Sequence, residues 1–135
     1  MTEKLEIYKC QVCGNTVEVL LAGFGQLVCC EQNMILMEEQ TAADEMLSEK
    51  HVPAVTRTEE GINIKIGMQP HPMEPNHYIT MIEAYSPDMR YVKQKFLHPG
   101  EEAMLDVKCR CDEDVVVREL CNIHGLWTTK DNIGE

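Results

Sequence analysis

The chain has 135 residues, 44% of them apolar and 5% aromatic, which suits one domain or one small domain joined to a module too short to fold unaided. Its 12 Lys and Arg residues against 23 Asp and Glu residues give a net charge of −11, which disfavours nucleic-acid binding because phosphate backbones need clustered cations. It lacks an apolar run of the ~18 residues that a membrane span needs and a recognisable secretory signal, so we expect a cytoplasmic protein without a membrane partner.

The first region, residues 1–38, combines short strands with four cysteines. Strands are predicted near residues 5–9, 16–21, 26–29 and 34–37, with glycines at the turns between them. A module of fewer than ~40 residues cannot bury enough apolar surface to fold alone, and it normally uses a metal, disulfides or a partner subunit. The cysteines of this region therefore need a structural or chemical role.

Those cysteines form two pairs. Cys10 and Cys13 make a Cys-x-x-Cys turn, and Cys29 and Cys30 are adjacent. Four thiolates suit tetrahedral zinc or a single iron, and spacing alone does not choose between them. Neighbouring residues of an extended chain point in opposite directions, so the chain must bend locally for Cys29 and Cys30 to share a metal. A structural zinc or a chance cluster of thiols is the alternative.

A linker is predicted over residues 39–50, where the chain is acidic and has no β-branched run. Thr41 and Asp44 match a helix start of the capping-box kind, so one or two helical turns are expected there. The second domain is expected to begin at His51 and to extend over residues 51–135.

The second region alternates apolar and polar residues with a period of two. Ile62, Ile64, Ile66 and Met68 fall on one face of a strand. Seven short strands are predicted near residues 52–58, 62–68, 77–85, 89–97, 102–109, 114–121 and 126–129. Short strands at this spacing are typical of an antiparallel sandwich. The predicted fold class is all-β: a small metal module followed by an immunoglobulin-like antiparallel β-sandwich of about seven strands.

Histidines cluster around this second region. His51 begins it in Glu49-Lys50-His51-Val52-Pro53, His71 and His77 flank a proline-rich loop, and Cys121 and His124 form a Cys-x-x-His unit. Prolines restrict φ in the loop and so help to hold two imidazoles in place. Imidazoles with one thiolate suit iron, copper or zinc, and five protein ligands leave octahedral iron one open position. Each histidine alone could equally be an ordinary polar or core residue.

Three further residues need separate interpretations. His98 lies in a His-Pro-Gly sequence that is typical of a surface turn. Cys109 and Cys111 would share one face of a strand, but a Cys-x-Cys disulfide is strained. Ordinary thiols are therefore expected at these two positions, with a redox role or adventitious metal binding as the alternative.

Together these motifs resemble the desulfoferrodoxin family. The Cys-x2-Cys and Cys-Cys pairs are similar to a desulforedoxin-type iron module. The segments Glu-Lys-His-Val-Pro, His-Pro-Met-x3-His-Tyr-Ile and Cys-Asn-x-His-Gly-x-Trp are similar to the active-site segments of superoxide reductases. The resemblance covers roughly residues 5–129, and its combined motifs are highly specific.

The resemblance implies two iron ions per subunit, one Fe(Cys)4 and one Fe(His)4(Cys). Cys10, Cys13, Cys29 and Cys30 would bind the first iron. The second would have four histidines in a plane and an axial cysteine: His51, His71, His77, His124 and Cys121. Glu49 would occupy the sixth position in the oxidised form, and Lys50 would sit beside it. His98, Cys109 and Cys111 fall outside the family pattern.

The implied function is superoxide reduction. A ferrous Fe(His)4(Cys) centre would reduce superoxide to hydrogen peroxide without producing dioxygen, and a rubredoxin-like donor would supply the electron. A homodimer is also implied. Two alternatives remain open at this point: a non-catalytic electron carrier or metal-stabilised binding module, which needs only the four cysteines, and a hydrolase using Cys121 and His124. The hydrolase would lack an evident orienting acid and leave three histidines unexplained.

Overall fold

The computed structural model describes residues 1–41, 51–67, 73–109 and 115–129, and its regular elements there are β-strands. The predicted all-β fold class is confirmed. The chain divides into two compact units, Met1–Glu38 and Glu39–Glu135. The helical turns predicted from Thr41 fall on residues 42–50, outside the described part of the chain.

Among the described residues, no helix has the length and apolar character that crossing a membrane requires.

The first unit contains five short strands. They are β1 (Ile7–Lys9), β2 (Thr16–Glu18), β3 (Val28–Cys29), β4 (Gln32–Asn33) and β5 (Ile35–Leu36). One antiparallel sheet has the order β2-β1-β5, and β3 and β4 form a separate hairpin. Leu5, Ile7 and Val19 are buried, whereas Leu21 and Phe24 are 89% and 93% exposed. The unit therefore has a very small apolar core.

The described residues of the second unit form eight strands in two sheets. They are β6 (Glu39–Gln40), β7 (Pro53–Arg57), β8 (Gly61–Ile66), β9 (Ile79–Tyr85), β10 (Val92–Phe96), β11 (Met104–Lys108), β12 (Val116–Cys121) and β13 (Gly125–Thr128). The sheet orders are β10-β9-β12-β13-β6 and β11-β8-β7. The strands β7 to β13 correspond to the seven predicted strands, four in one sheet and three in the other. Glu39 and Gln40, predicted to lie in a linker, form β6 and pair in parallel with β13.

The sandwich core lies between the two sheets. Ile62, Ile64 and Ile66 on β8 pack in one cluster with Ile82 on β9 and Val117 on β12. Each of these side chains is 5% exposed or less. The alternation predicted for β8 is therefore confirmed over Ile62 to Ile66, and Met68 lies outside the described residues.

A buried charged cluster lies on the five-stranded sheet that contains β6, β9 and β12. Arg118 donates from Nε to Glu83 Oε1 at 2.9 Å and pairs through Nη2 with the same oxygen. Its Nη1 bonds Glu39 Oε1 at 3.1 Å, and its guanidinium lies 5.2 Å from the centre of the Tyr85 ring. Burial alone would lower the pKa of Arg118, but the Glu83 carboxylate raises it. Arg118 therefore stays charged and links β6, β9 and β12.

Candidate metal centres

The four cysteines of the first unit converge on one point. Their Sγ atoms all lie within 4.8 Å of one another. The Cys13 and Cys29 sulfurs are 3.6 Å apart, and those of Cys29 and Cys30 are 3.9 Å apart. A tetrahedral ion with metal–sulfur bonds of ~2.3 Å needs sulfurs about 3.8 Å apart. The cluster therefore has the size of a metal site with four thiolate ligands.

The adjacent cysteine pair reaches this geometry through a left-handed backbone. Cys30 has φ +53° and Glu31 has φ +62°, a region that costs a residue with a Cβ about 1–2 kcal/mol. The local bend expected for Cys29 and Cys30 is thus present. It turns the second sulfur back toward the first, and it places the hairpin of β3 and β4 beside the Cys-x-x-Cys turn.

Hydrogen bonds make the thiols of this cluster unequal. The backbone N–H of Cys13 donates to the Cys10 sulfur at 3.5 Å and lowers the pKa of Cys10 to about 6. Hydrogen bonding with Cys13 raises the pKa of Cys29, and it raises that of Cys30 to about 12. Asn15 adds a side-chain N–H to the Cys29 sulfur at 3.8 Å. Cys10 is therefore more readily ionised than Cys29 and Cys30 before a metal binds.

A second group of metal-ligating atoms lies in the second unit. Ligand atoms of His51, Cys121 and His124 lie within 4.8 Å of one another. His51 Nε2 and His124 Nδ1 are 2.9 Å apart, which is close to the ~3.0 Å between two nitrogens bound at right angles with bonds of ~2.1 Å. The three residues come from opposite ends of the unit, and folding brings them together.

His51 is held by neighbours that the sequence analysis missed. Its Nδ1 lies 3.0 Å from Glu119 Oε1, and both side chains are completely buried. Its ring stacks on Trp127 with centres 5.0 Å apart. Burial raises the pKa of Glu119 well above its usual value, and a hydrogen bond between Nδ1 and Oε1 at this distance requires one proton between the two atoms. With that proton on Nδ1, the Nε2 lone pair points toward His124, as in a metal-ligating histidine with a carboxylate behind it.

Cys121 reaches the site through an irregularity in its strand. The register of β12 against β9 shifts between Leu120 and Cys121, and such a bulge redirects a side chain. The His124 N–H donates to the Cys121 sulfur at 3.4 Å, and His124 Nδ1 lies 4.0 Å from it. Burial raises the pKa of the Cys121 thiol. A bound cation would oppose that shift, because a coordinating thiol is deprotonated.

Of the other predicted ligands and catalytic residues, the structure describes only some. His77 lies edge-on to His124 with ring centres 4.8 Å apart, beside the His51, Cys121 and His124 group rather than within it. His71, Glu49 and Lys50 lie outside the described residues. His98 is exposed at a turn that Glu101 Oε1 closes at 2.7 Å, as the sequence predicted.

Cys109 requires a correction. It is disulfide-bonded, so the ordinary thiol expected there is wrong, and Cys111 lies outside the described residues. Spacing does not reveal how closely two sulfur atoms approach in the folded chain. Among the described residues, the cysteines outside a disulfide are Cys10, Cys13, Cys29, Cys30 and Cys121.

Two ligand groups on an all-β scaffold define a metalloprotein with two centres. The donor sets are consistent with Fe(Cys)4 in the first unit and Fe(His)4(Cys) in the second. The chain belongs to the desulfoferrodoxin family: the family's N-terminal domain matches residues 2–37, and its main domain matches residues 43–130. It is similar to the desulfoferrodoxin of Desulfarculus baarsii, with 46% identity over 97% of this chain and 100% of the relative.

Solved structures share the fold. The superoxide reductase from Treponema pallidum matches with a TM-score of 0.71 and 22% identity, covering 93% of this chain and 97% of its own. The superoxide reductase from Nanoarchaeum equitans matches with a TM-score of 0.54 and 25% identity, covering 68% of this chain and 96% of its own.

Proposed function

We propose that this protein is a superoxide reductase whose active site is formed by His51, His71, His77, Cys121 and His124. The supporting observation is the pair of nitrogens, His51 Nε2 and His124 Nδ1, 2.9 Å apart beside the Cys121 sulfur. The proposal is also supported by the likeness to the superoxide reductase from Nanoarchaeum equitans. The hydrolase alternative is disfavoured, because the only buried carboxylate found beside the described group, Glu119, contacts His51 instead of His124.

The proposed reaction is O2•− + e− + 2H+ → H2O2. His51, His71, His77, Cys121 and His124 would hold a ferrous ion, which would supply the electron for this reduction. The chain's own residues keep the ligands in place: Glu119 and Trp127 hold His51, and the turn after β12 holds Cys121 and His124 together. Because the donor nitrogens are held before the ion binds, little reorganisation is needed when charge develops.

Glu49 and Lys50 complete the proposed site, although both lie outside the described residues. The substrate is an anion and the protein carries a net charge of −11, so attraction must come from a local positive charge. We assign that role to Lys50, which would also order a proton-delivering water. Glu49 would close the ferric form of the site and leave once an electron restores the ferrous form.

The first centre is proposed to be an electron relay or a structural clip. The side chains of Cys13 and Cys30 are exposed, which suits electron exchange with a partner protein of the rubredoxin kind. Exposed sulfurs also favour the alternative of an electron carrier without catalysis. The two functions differ only in whether the second centre reacts with superoxide.

A homodimer in the cytoplasm is the proposed state. The first unit exposes Leu20, Leu21 and Phe24 by 71%, 89% and 93%, and a unit of this size needs a partner surface or a metal to be stable. The thiols of the two candidate metal centres are reduced, which suits a reducing compartment, although Cys109 is disulfide-bonded. We expect a dimer in sedimentation analysis and a shift toward monomer for Phe24→Glu.

The decisive experiment is to measure metal content and visible spectrum, and then to mix the reduced protein with superoxide. Two irons per chain and one peroxide per electron, with no dioxygen from the reaction, are expected. Release of dioxygen in the amount expected for dismutation of superoxide would contradict the proposal. Zinc alone, with no visible absorption, would instead support a structural module. Cys121→Ser is the matched variant, because it should lose the reaction and keep the absorption of the four-cysteine centre.

A further inference from the structure

The short strand β6 lies directly beside the His/Cys site. It consists of Glu39 and Gln40 and pairs in parallel with β13 through Leu126 and Trp127. Successive side chains of a strand point to opposite faces, and the two side chains of β6 have different partners. Glu39 bonds buried Arg118, whereas Gln40 reaches the turn that carries His124.

The backbone carbonyl of His124 accepts two hydrogen bonds from side chains. Gln40 Nε2 donates to it at 2.7 Å, and Trp127 Nε1 donates at 3.2 Å. A carbonyl oxygen has two lone pairs, so these two donors occupy both of its hydrogen-bond acceptor positions. The contact with Gln40 joins residues 84 positions apart in the chain, and it holds the turn from outside its own hairpin.

The same amide group lies against the next residue of the turn. Gly125 has φ +85°, and a Cβ at this position would lie 3.2 Å from Gln40 Nε2. The Gln40 amide also lies 3.5 Å from the Leu126 carbonyl oxygen. The peptide between His124 and Gly125 therefore has one defined orientation, and the backbone of His124 determines where its ring begins.

We propose that Gln40 is a positioning residue of the His/Cys centre, acting through the His124 carbonyl. The inference rests on the proposed function, because it takes His124 to be a ligand of that centre. A glutamine suits the position because it is a neutral donor long enough to cross from β6 to the turn. A glutamate would set its oxygens against the carbonyl oxygen. Losing such outer hydrogen bonds typically weakens metal binding by 10- to 100-fold.

The test measures binding of ferrous iron alone to the full chain, without superoxide. Gln40→Met keeps the length of the side chain and removes the donor. We expect it to weaken binding at the His/Cys centre by about tenfold and to shift that centre's visible absorption, while the four-cysteine centre is unchanged. Gln94→Met is the matched control, because Gln94 donates to buried Glu83 at 2.5 Å on the same sheet. It should lower stability without changing the spectrum.

Gln40→Glu is the second variant and is used if Gln40→Met does not fold. It should weaken binding at neutral pH and recover part of the affinity at a pH where its carboxyl group is protonated and can donate. The inference is overturned if both folded variants bind iron like the wild type, or if they lose affinity only as much as Gln94→Met does. If the wild type itself binds no iron at His51, Cys121 and His124, the proposed function fails instead.

Discussion

Glu119 Oε1 lies 3.0 Å from His51 Nδ1, and neither side chain is exposed to solvent. A carboxylate in the core of a sandwich is unfavourable unless it has a specific partner. Here the partner is a candidate metal ligand, and the contact fixes the ring orientation of that ligand.

The first prediction follows from this pair. Glu119→Ala should weaken metal binding at the His/Cys centre by about 10- to 100-fold and should destabilise the fold by about 1–3 kcal/mol, because His51 Nδ1 loses its buried partner. Glu119→Gln should lose less, since its amide oxygen can still accept. Competition with a chelator, followed by visible absorption, measures the binding. Glu59→Ala, at an exposed position, is the control; equal iron retention in Glu119→Ala and the control would contradict the prediction.

A second prediction concerns the buried Arg118 and Glu83 pair. Arg118→Met should cost about 3–5 kcal/mol, because Glu83 is then a buried charge without its cation. Urea unfolding followed by tryptophan fluorescence measures the loss. The double variant Arg118→Met/Glu83→Gln should recover part of it, since no unpaired charge remains. A single variant as stable as the wild type would show that the pair contributes nothing.

Glu31 has a left-handed backbone, and here a substitution is expected to raise stability instead of lowering it. Glu31→Gly should stabilise the four-cysteine centre by about 0.5–1 kcal/mol, since relief of the left-handed conformation exceeds the extra chain entropy of glycine. The urea concentration at which that centre loses its absorption is the measurement. Glu31→Ala retains a Cβ and should show no gain, so similar behaviour of the two variants would be evidence against backbone strain at this residue.

The proposed role of Lys50 is tested by kinetics. Lys50→Ile should slow the bimolecular reaction with superoxide by about tenfold and should weaken its dependence on ionic strength, because the local positive charge is lost. Pulse radiolysis at several salt concentrations measures both quantities. Lys65→Ile, on β8, controls for the change of net charge. A rate equal to that of the wild type would remove Lys50 from the steering role.

Local patterns determined much of this protein. The Cys-x-x-Cys turn and the Cys-Cys pair each bring their own two sulfurs together, because the members of each pair are close in sequence. The left-handed backbone at Cys30 is likewise a local feature. The period of two predicted the strands of the sandwich and the buried face of Ile62, Ile64 and Ile66, since successive side chains of a strand point to opposite faces.

Only the tertiary structure decided which residues surround His51. Glu119 and Trp127, which contact His51, come from β12 and β13, and Gln40, which contacts the His124 carbonyl, comes from β6. The one hint in the sequence was the charged residue Glu119, which alternation places on the same strand face as Val117 and Cys121. The disulfide at Cys109 was likewise not predictable. These contacts depend on sheet register and on the bulge at Cys121, which arise from packing between strands far apart in sequence and therefore leave no local pattern.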